Sequence, residues 1–460
     1  MRKRNNTVDR TENASNPSRR RFLARTGGVA TAVGLSQFTG SQAIQQVEAN
    51  ESDQSAKESA DPPRFGVNYV PSKNWWFTWK DQYWAPDSIQ EDLNAIADIN
   101  MDHIRIFPIW PWFQPSADEI SGKMLDRLEQ VFSMADNACL DVQVTPLQGH
   151  LSGYEWYPAW VGSRSYAANP SVTAAQKRLF TAIENRIGSH PRFMGFDLSN
   201  EINATYHHWD NELTDSAFAD WIRELLTHCE TIAPDKTHVA STAGAFGTLS
   251  DTRQRLAARA GDLSIVHPWV FQGASDETGN LTFYGTHHQG YFTELIRAYQ
   301  TNPDRGIWHH EIGAPLVGFN RETNIPKDKH AEWAERVVTN ILNNHEHIYG
   351  ITWWASHDIR EKGPYNLPKR RKALEYTLGL LTIDNEPKPI ANRLADLIEK
   401  YRQNPPSPVQ STAIIGTNED EYLATIQEQE VTPKIVLKKH ADDQNLLNKR
   451  GIETILNRDV

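Results

Sequence analysis

The chain has 460 residues, room for one large domain or two to three ordinary ones. Its formal net charge of -11 argues against a nucleic-acid binder, which would show a basic face. No run approaches the ~18 apolar residues of a membrane span, and 15 Trp, 14 Tyr and 16 Phe allow a sizeable core.

The N-terminus differs from the rest. Residues 1–18 are polar and basic, followed by SRRRFLARTGGVATAVGLSQFTGSQA. Ser18-Arg19-Arg20-Arg21-Phe22-Leu23, a short weakly apolar segment and small residues near Ala43 come in the order of a twin-arginine export signal, which they resemble; the plainer reading is a basic tail. Residues 1–49 are expected to be signal peptide and polar leader, cut after Ala43 or Ala49, and residues 50–62 a linker. That reading implies passage through the twin-arginine export machinery to a secreted or extracytoplasmic location.

From Phe65 onward short apolar runs alternate with amphipathic stretches. FGVNY at 65, HIRIF at 103, DVQVT at 141, FMGFDL at 193, THVAS at 237, LSIVH at 263, GIWHH at 306 and YGITWW at 349 read as strands. After the first comes a stripe of Ile89, Leu93, Ile96 and Ile99, with Ser88 and Glu91 spaced as a capping box. GKMLDRLEQVFSMA, AAQKRLFTAIENRI, FADWIRELLTHC, YFTELIRAYQ, HAEWAERVVTNIL and PIANRLADLIEKY read as further helices. Cys139 and Cys229, the two cysteines, each close an apparent helix and are expected to be buried small apolar residues. Eight strands at a spacing near forty residues predict an α/β fold, a (β/α)8 TIM barrel over residues 63–402. A doubly wound open sheet is the alternative, but GVNYVP lacks its Gly-rich first turn. Residues 403–460 form a Pro-containing linker, RQNPPSPVQS, and a polar tail.

In such a barrel, chemistry sits where strands end. Alternation turns Ile104 and Ile106 toward the helices and Arg105 toward the axis; it turns Met194, Phe196 and Leu198 outward, leaving Asp197, Ser199 and Glu201 inside. Glu201 ends the fourth strand and Glu311 the seventh, on opposite sides of the mouth. Two facing carboxyls suit glycosidic hydrolysis, one protonating the leaving oxygen and the other attacking the anomeric carbon. Arg105 beside Glu311 is expected to keep it charged, and a less cationic pocket to leave Glu201 protonated. The competing reading is a carboxylate–arginine network that only braces the barrel. Trp75, Trp76, Trp79 and Trp84, then Trp110 and Trp112, Trp156 and Trp160, Trp209 and Trp269, and Trp353 and Trp354 fall in predicted loops or at strand ends, where rings could stack on sugars. His309, His310 and Glu311 are adjacent, and neighbours on a regular strand point to opposite faces; His207-His208 and His287-His288 lack metal spacing, so no metal and no other cofactor is expected.

SNE at the fourth strand and HEIGAP at the seventh, with HIRIFP, LQGHLSG and the Trp at the eighth, resemble glycoside hydrolase clan A, family 5, over most of Phe65 to Tyr401. The resemblance implies Glu201 as acid/base, Glu311 as nucleophile, Asn200 as partner of the sugar 2-hydroxyl, and Arg105, His150, His267 and Trp354 as further site residues. Trp269 stands in His267-Pro268-Trp269 where the family usually has a Tyr whose hydroxyl contacts the nucleophile, so Glu311 is expected to rely more on Arg105 or another donor. GVNYVPSKNWWFTW, with Asn68, and RIFPIWPWFQP, with Trp110 and Trp112, add substrate-binding candidates and look most like a branch with exo-acting β-mannosidases. The expected activity is retaining hydrolysis of β-mannosidic or related β-glycosidic bonds in an oligosaccharide or glycoside. An endo-acting mannanase or glucanase and a non-catalytic carbohydrate-binding barrel are the alternatives.

Overall fold

The computed structural model describes residues 63–201, 213–241, 251–269, 286, 288–302, 304–316, 325–344, 347–360 and 375–404. The chain divides into two compact units, Met1–Glu51, which lies outside the described residues, and Ser52–Val460, which contains all of them. The segments read as an export signal (1–49) and a linker (50–62), the tail at 405–460 and Trp209, His207, His208 and His287 likewise lie outside.

The apolar runs become β1 (Arg64–Asn68), β2 (His103–Ile106), β3 (Asp141–Val144), β4 (Leu147–Gln148), β5 (Phe193–Phe196), β6 (Ser199–Asn200), β7 (Ser264–Val266), β8 (Ile307–Ile312) and β9 (Ile348–Trp353). Seven form one parallel sheet in the order β5-β3-β2-β1-β9-β8-β7. The helices that connect them are α1 (Pro86–Asp98), α2 (Trp110–Phe113), α3 (Gly122–Asn137), α4 (Pro170–Ile187), α5 (Asp215–Ile232), α6 (Asp251–Arg259), α7 (His288–Tyr299), α8 (Lys327–Asn344) and α9 (Pro389–Gln403). Buried Ile, Leu, Val and Phe from both layers merge into one large core cluster, beside a small one of Met194, Val239, Leu263, Ile265 and Trp308, as in a (β/α)8-like barrel.

The predicted strand at THVAS is reduced to single bridges, from Val239 to Asp197 and to Gly261. Its inner flank is bonded: Thr237 N–H donates to Met194 O and Val239 N–H to Phe196 O. On the opposite flank the Asp262 carboxylate accepts the His238 N–H at 2.7 Å, and on the β5 flank the Asp197 carboxylate accepts the Ser241 N–H at 2.8 Å. Side chains thus take two donors that a regular ladder would use, yet the segment still closes the ring between β5 and β7. Gly195 permits that approach, since a Cβ there would lie 1.9 Å from Thr237 O. Helix α6 carries no periodic apolar stripe and was not predicted.

Two local expectations fail. The Ser88–Glu91 capping box does not form, because Pro86 starts α1 two residues earlier and no side chain caps it. Cys139 is exposed, not buried. It follows α3 at φ +56°, with Leu140 N–H bonded to Ala135 O and Cys139 N–H to Asp136 O, a Schellman ending that favours glycine. Cys139→Gly is therefore expected to raise stability by about 1 kcal/mol, measured by denaturant unfolding; a loss would contradict this account. Cys229 is fully buried as expected, and burial pushes its thiol well up.

Candidate active site

Beyond the C-terminal ends of β3 and β5, β4 pairs in parallel with β6, which contains Asn200 and leads directly into Glu201. Glu201 has φ +44°, a left-handed backbone rare outside glycine, and its side chain retains 12% exposure. Across the mouth, β8 holds Glu311. Its pairing with β9 slips between His309 and Ile312, where three steps along β8 match two along β9. This bulge breaks the alternation. His309 points outward, 2.7 Å from Thr293 on α7, whereas His310 and Glu311 both face the barrel interior. The expectation that adjacent side chains on this strand point apart is thereby corrected at 310–311.

Arg105 organises the floor. Its Nε donates to Thr145 Oγ1 at 2.9 Å, one terminal nitrogen donates to Asn68 Oδ1 and Glu311 Oε1, both at 2.9 Å, and the other serves Asp197 at 2.6 Å, Asn200 at 2.7 Å and Ser241 at 3.1 Å. The guanidinium is fully buried, with its carbon 4.7 Å from the Phe107 ring centre. Two carboxylates and four neutral acceptors satisfy a charge that would otherwise be costly to desolvate.

Glu311 has a second donor: Trp269 Nε1–H reaches its other oxygen at 3.1 Å. The indole thus stands in for the usual phenol, which corrects the expectation that Glu311 must look elsewhere. Gly313 leaves room for it, since a Cβ would come 3.4 Å from the Trp269 ring and 2.4 Å from Trp354 O. Burial pushes the Glu311 carboxyl up, and the nearby Glu201 adds to this; His267 and Arg105 oppose it. The expectation from Arg105 alone omitted the desolvation that dominates this site.

His267 stands between the two acids, its Nδ1 3.1 Å from Glu201 Oε1 and 3.5 Å from Glu311 Oε1. Burial lowers its pKa to about 4, so the ring is neutral at neutral pH. Glu201, His267 and Glu311 each offer one ligand atom within 4.8 Å of the others. That spacing would also suit a metal ion, but the Arg105 guanidinium already supplies positive charge against Glu311.

The remaining candidates divide. Asn200 accepts from Arg105, and its amide nitrogen donates to the His150 carbonyl. His150 lies half-buried on the adjoining loop, its N–H bonded back to Asn200 O at 3.2 Å. Trp354 directly follows β9 and packs edge-on to Trp269, 6.3 Å between ring centres, and against Trp76 and Phe107. Asn68 is fully buried, bonded to His310 O, Trp353 O and Arg105; it positions the floor and has no surface for substrate. Trp110 is also fully buried, its Nε1 bonded to Gln114 at 2.8 Å, so it is core and not a sugar platform. Trp112 is half-buried in a cluster with Phe77 and Trp156, with Lys80 Nζ 4.8 Å from its ring centre. Trp75, Trp76, Trp79 and Trp353 are buried as well: many of the loop rings build a wall by packing on each other.

Sequence reasoning passed over Gln143, Thr145, Ser241 and the inward turn of His310. Alternation in DVQVT would have found Gln143, since Val142 and Val144 take the outer face as Ile104 and Ile106 do.

The structural neighbours of this barrel are glycoside hydrolases, and the chain is one as well. Comparison with solved structures shows what the chain is similar to. A GH5_18 protein of Streptomyces cattleya carrying a Glu-to-Ala change, in complex with Manb1-4GlcNAc, is similar at 28% identity, over 82% of this chain and 97% of that one, with a TM-score of 0.70. A GH5_18 protein of Bifidobacterium longum subsp. infantis is similar at 28% identity, over 75% and 80%, with a TM-score of 0.68. The exo-beta-1,4-mannosidase Op5Man5 from Opitutaceae bacterium strain TAV5 shares the fold at 19% identity, over 78% and 63%, with a TM-score of 0.64. No family model matches the chain, and no curated protein matches its sequence. The chain is thus similar to solved structures of glycoside hydrolase family 5, those of a mannosidase-related branch among them.

Proposed function

We propose that the chain hydrolyses β-mannosidic bonds with retention of configuration, releasing single sugars from one end of its substrate. The observation that carries this reading is the closeness of the two acids: carboxyl oxygens of Glu201 and Glu311 lie within 4.8 Å of each other. Double displacement needs carboxyls about 5 Å apart, whereas inversion needs a wider gap that admits water. Glu311, held by Arg105 and Trp269, attacks the anomeric carbon while Glu201 gives its proton to the leaving oxygen. Glu201 then takes a proton from the water that releases the sugar from Glu311. The mannosyl preference is supported by the S. cattleya relative bound to Manb1-4GlcNAc.

Incubation with Manβ1-4GlcNAc, followed by proton NMR, is expected to show β-mannose first and its α anomer only by later mutarotation. α-Mannose first would overturn retention. With a reduced mannohexaose, mannose alone should appear early; a ladder of intermediate lengths would mark endo action.

We also propose export by the twin-arginine route, supported by the Arg19-Arg20-Arg21 run and the weakly apolar segment that follows. Changing Arg20 and Arg21 to Lys should retain the protein inside the cell on fractionation, and unchanged export would end the proposal.

A further inference from the structure

Behind the two glutamates a file of polar groups runs down the barrel interior. Glu201 Oε1 is 3.1 Å from His267 Nδ1, His267 Nε2 is 3.3 Å from His310 Nδ1, and His310 Nε2 is 2.5 Å from Gln143 Oε1. Gln143 and both imidazoles are fully buried, and the rings are stacked 5.5 Å apart. Each link needs one proton between its two atoms, so the proton at one end fixes all the others.

The Gln143 carbonyl oxygen can only accept, so His310 donates from Nε2. Burial holds His310 neutral, which leaves its Nδ1 as an acceptor and makes His267 donate from Nε2. His267 is neutral too, so its Nδ1 presents a lone pair to Glu201, with Glu311 Oε1 3.5 Å away. Facing two carboxylates, that lone pair would be repelled; facing a protonated Glu201, it accepts a hydrogen bond. We propose that Gln143 and His310 are positioning residues that fix the tautomer of His267, so that it accepts the Glu201 proton and holds Glu201 as the acid of the pair. The inference rests on the retaining reading above. The charged or titratable groups around His267 are Glu201, Glu311, Arg105, Asp197 and His310, and those around His310 are Arg105, His267 and His103. His103 is buried and held neutral beside Thr352, so Arg105 and the carboxylates carry the fixed charge. The bulge at 309–312 makes the file possible by bringing His310 inside together with Glu311.

Gln143 Nε2 makes no hydrogen bond, so an amide turned over would reverse both rings and leave Glu201 ionised. The test begins with the intact wild-type enzyme labelled with 15N-histidine. Long-range proton–nitrogen spectra, assigned through His267→Gln and His310→Gln, are expected to show both rings neutral with the proton on Nε2; a proton on Nδ1 of His267 overturns the proposal. Gln143→Leu, checked for folding by circular dichroism, supplies the kinetic arm. Its kcat/KM on Manβ1-4GlcNAc should fall about tenfold or more, and the loss on 2,4-dinitrophenyl β-mannoside, whose leaving group needs no proton, should be at least about tenfold smaller. The alkaline limb of the kcat/KM profile should move down by about one pH unit. Equal losses on both substrates with an unmoved limb would make Gln143 merely structural. Failure of the functional reading looks different: the wild type then cleaves no mannoside, whatever the tautomers.

Discussion

Glu311→Ala and Glu201→Ala are each expected to lower turnover of Manβ1-4GlcNAc by about a thousandfold or more, and to differ in how they are rescued. In the Glu201 variant, 2,4-dinitrophenyl β-mannoside still loads the sugar onto Glu311, because the leaving group departs without help. Azide, which needs no base, then displaces the Glu311 carboxylate and forms β-mannosyl azide. In the Glu311 variant there is no carboxylate to load, so azide yields no β product. The assignment rests on the donors: Arg105 and Trp269 each bond one oxygen of Glu311 and oppose the upward push of burial on its carboxyl, while Glu201 faces a neutral imidazole. Near-parental activity in either variant, or β-azide from the Glu311 variant, would reverse or remove these roles.

Arg105→Met is expected to cost about 3–5 kcal/mol of stability together with nearly all activity. The methionine nearly fills the volume but leaves Asp197 and Glu311 as buried carboxyls without their counter-charge. Arg105→Lys should fall between the two, because an ammonium restores charge but cannot reach Thr145, Asn68, Glu311, Asp197, Asn200 and Ser241 from one plane. Denaturant unfolding of the three proteins gives the comparison. A methionine variant as stable as the parent would show that the ion cluster contributes nothing net to the fold.

Strand periodicity carried most of the architecture, because eight short apolar runs with inward polar residues at every second position leave little choice of topology. The same alternation turned Arg105 and Asp197 inward. It failed where the backbone leaves its regular path. The β8 bulge brings His310 inside beside Glu311, and nothing in GIWHHEIGAP announces the extra residue. At THVAS the donors of His238 and Ser241 go to the carboxylates of Asp262 and Asp197, a long-range exchange that local pattern does not register. Two misreadings were avoidable: Pro86 was a better helix start than Ser88. Trp110, within a run of apolar neighbours, had as good a claim to the core as to a sugar.

The Arg105 cluster draws on Asn68, Thr145, Asp197, Asn200, Ser241 and Glu311, which are spread from the first strand of the barrel to the second-last. A nascent chain that has emerged only to residue 300 already contains Glu201 and the guanidinium but lacks Glu311. On the proposed roles, hydrolytic competence is therefore expected only late in synthesis, once the last arc of the ring brings Glu311 to the waiting cation.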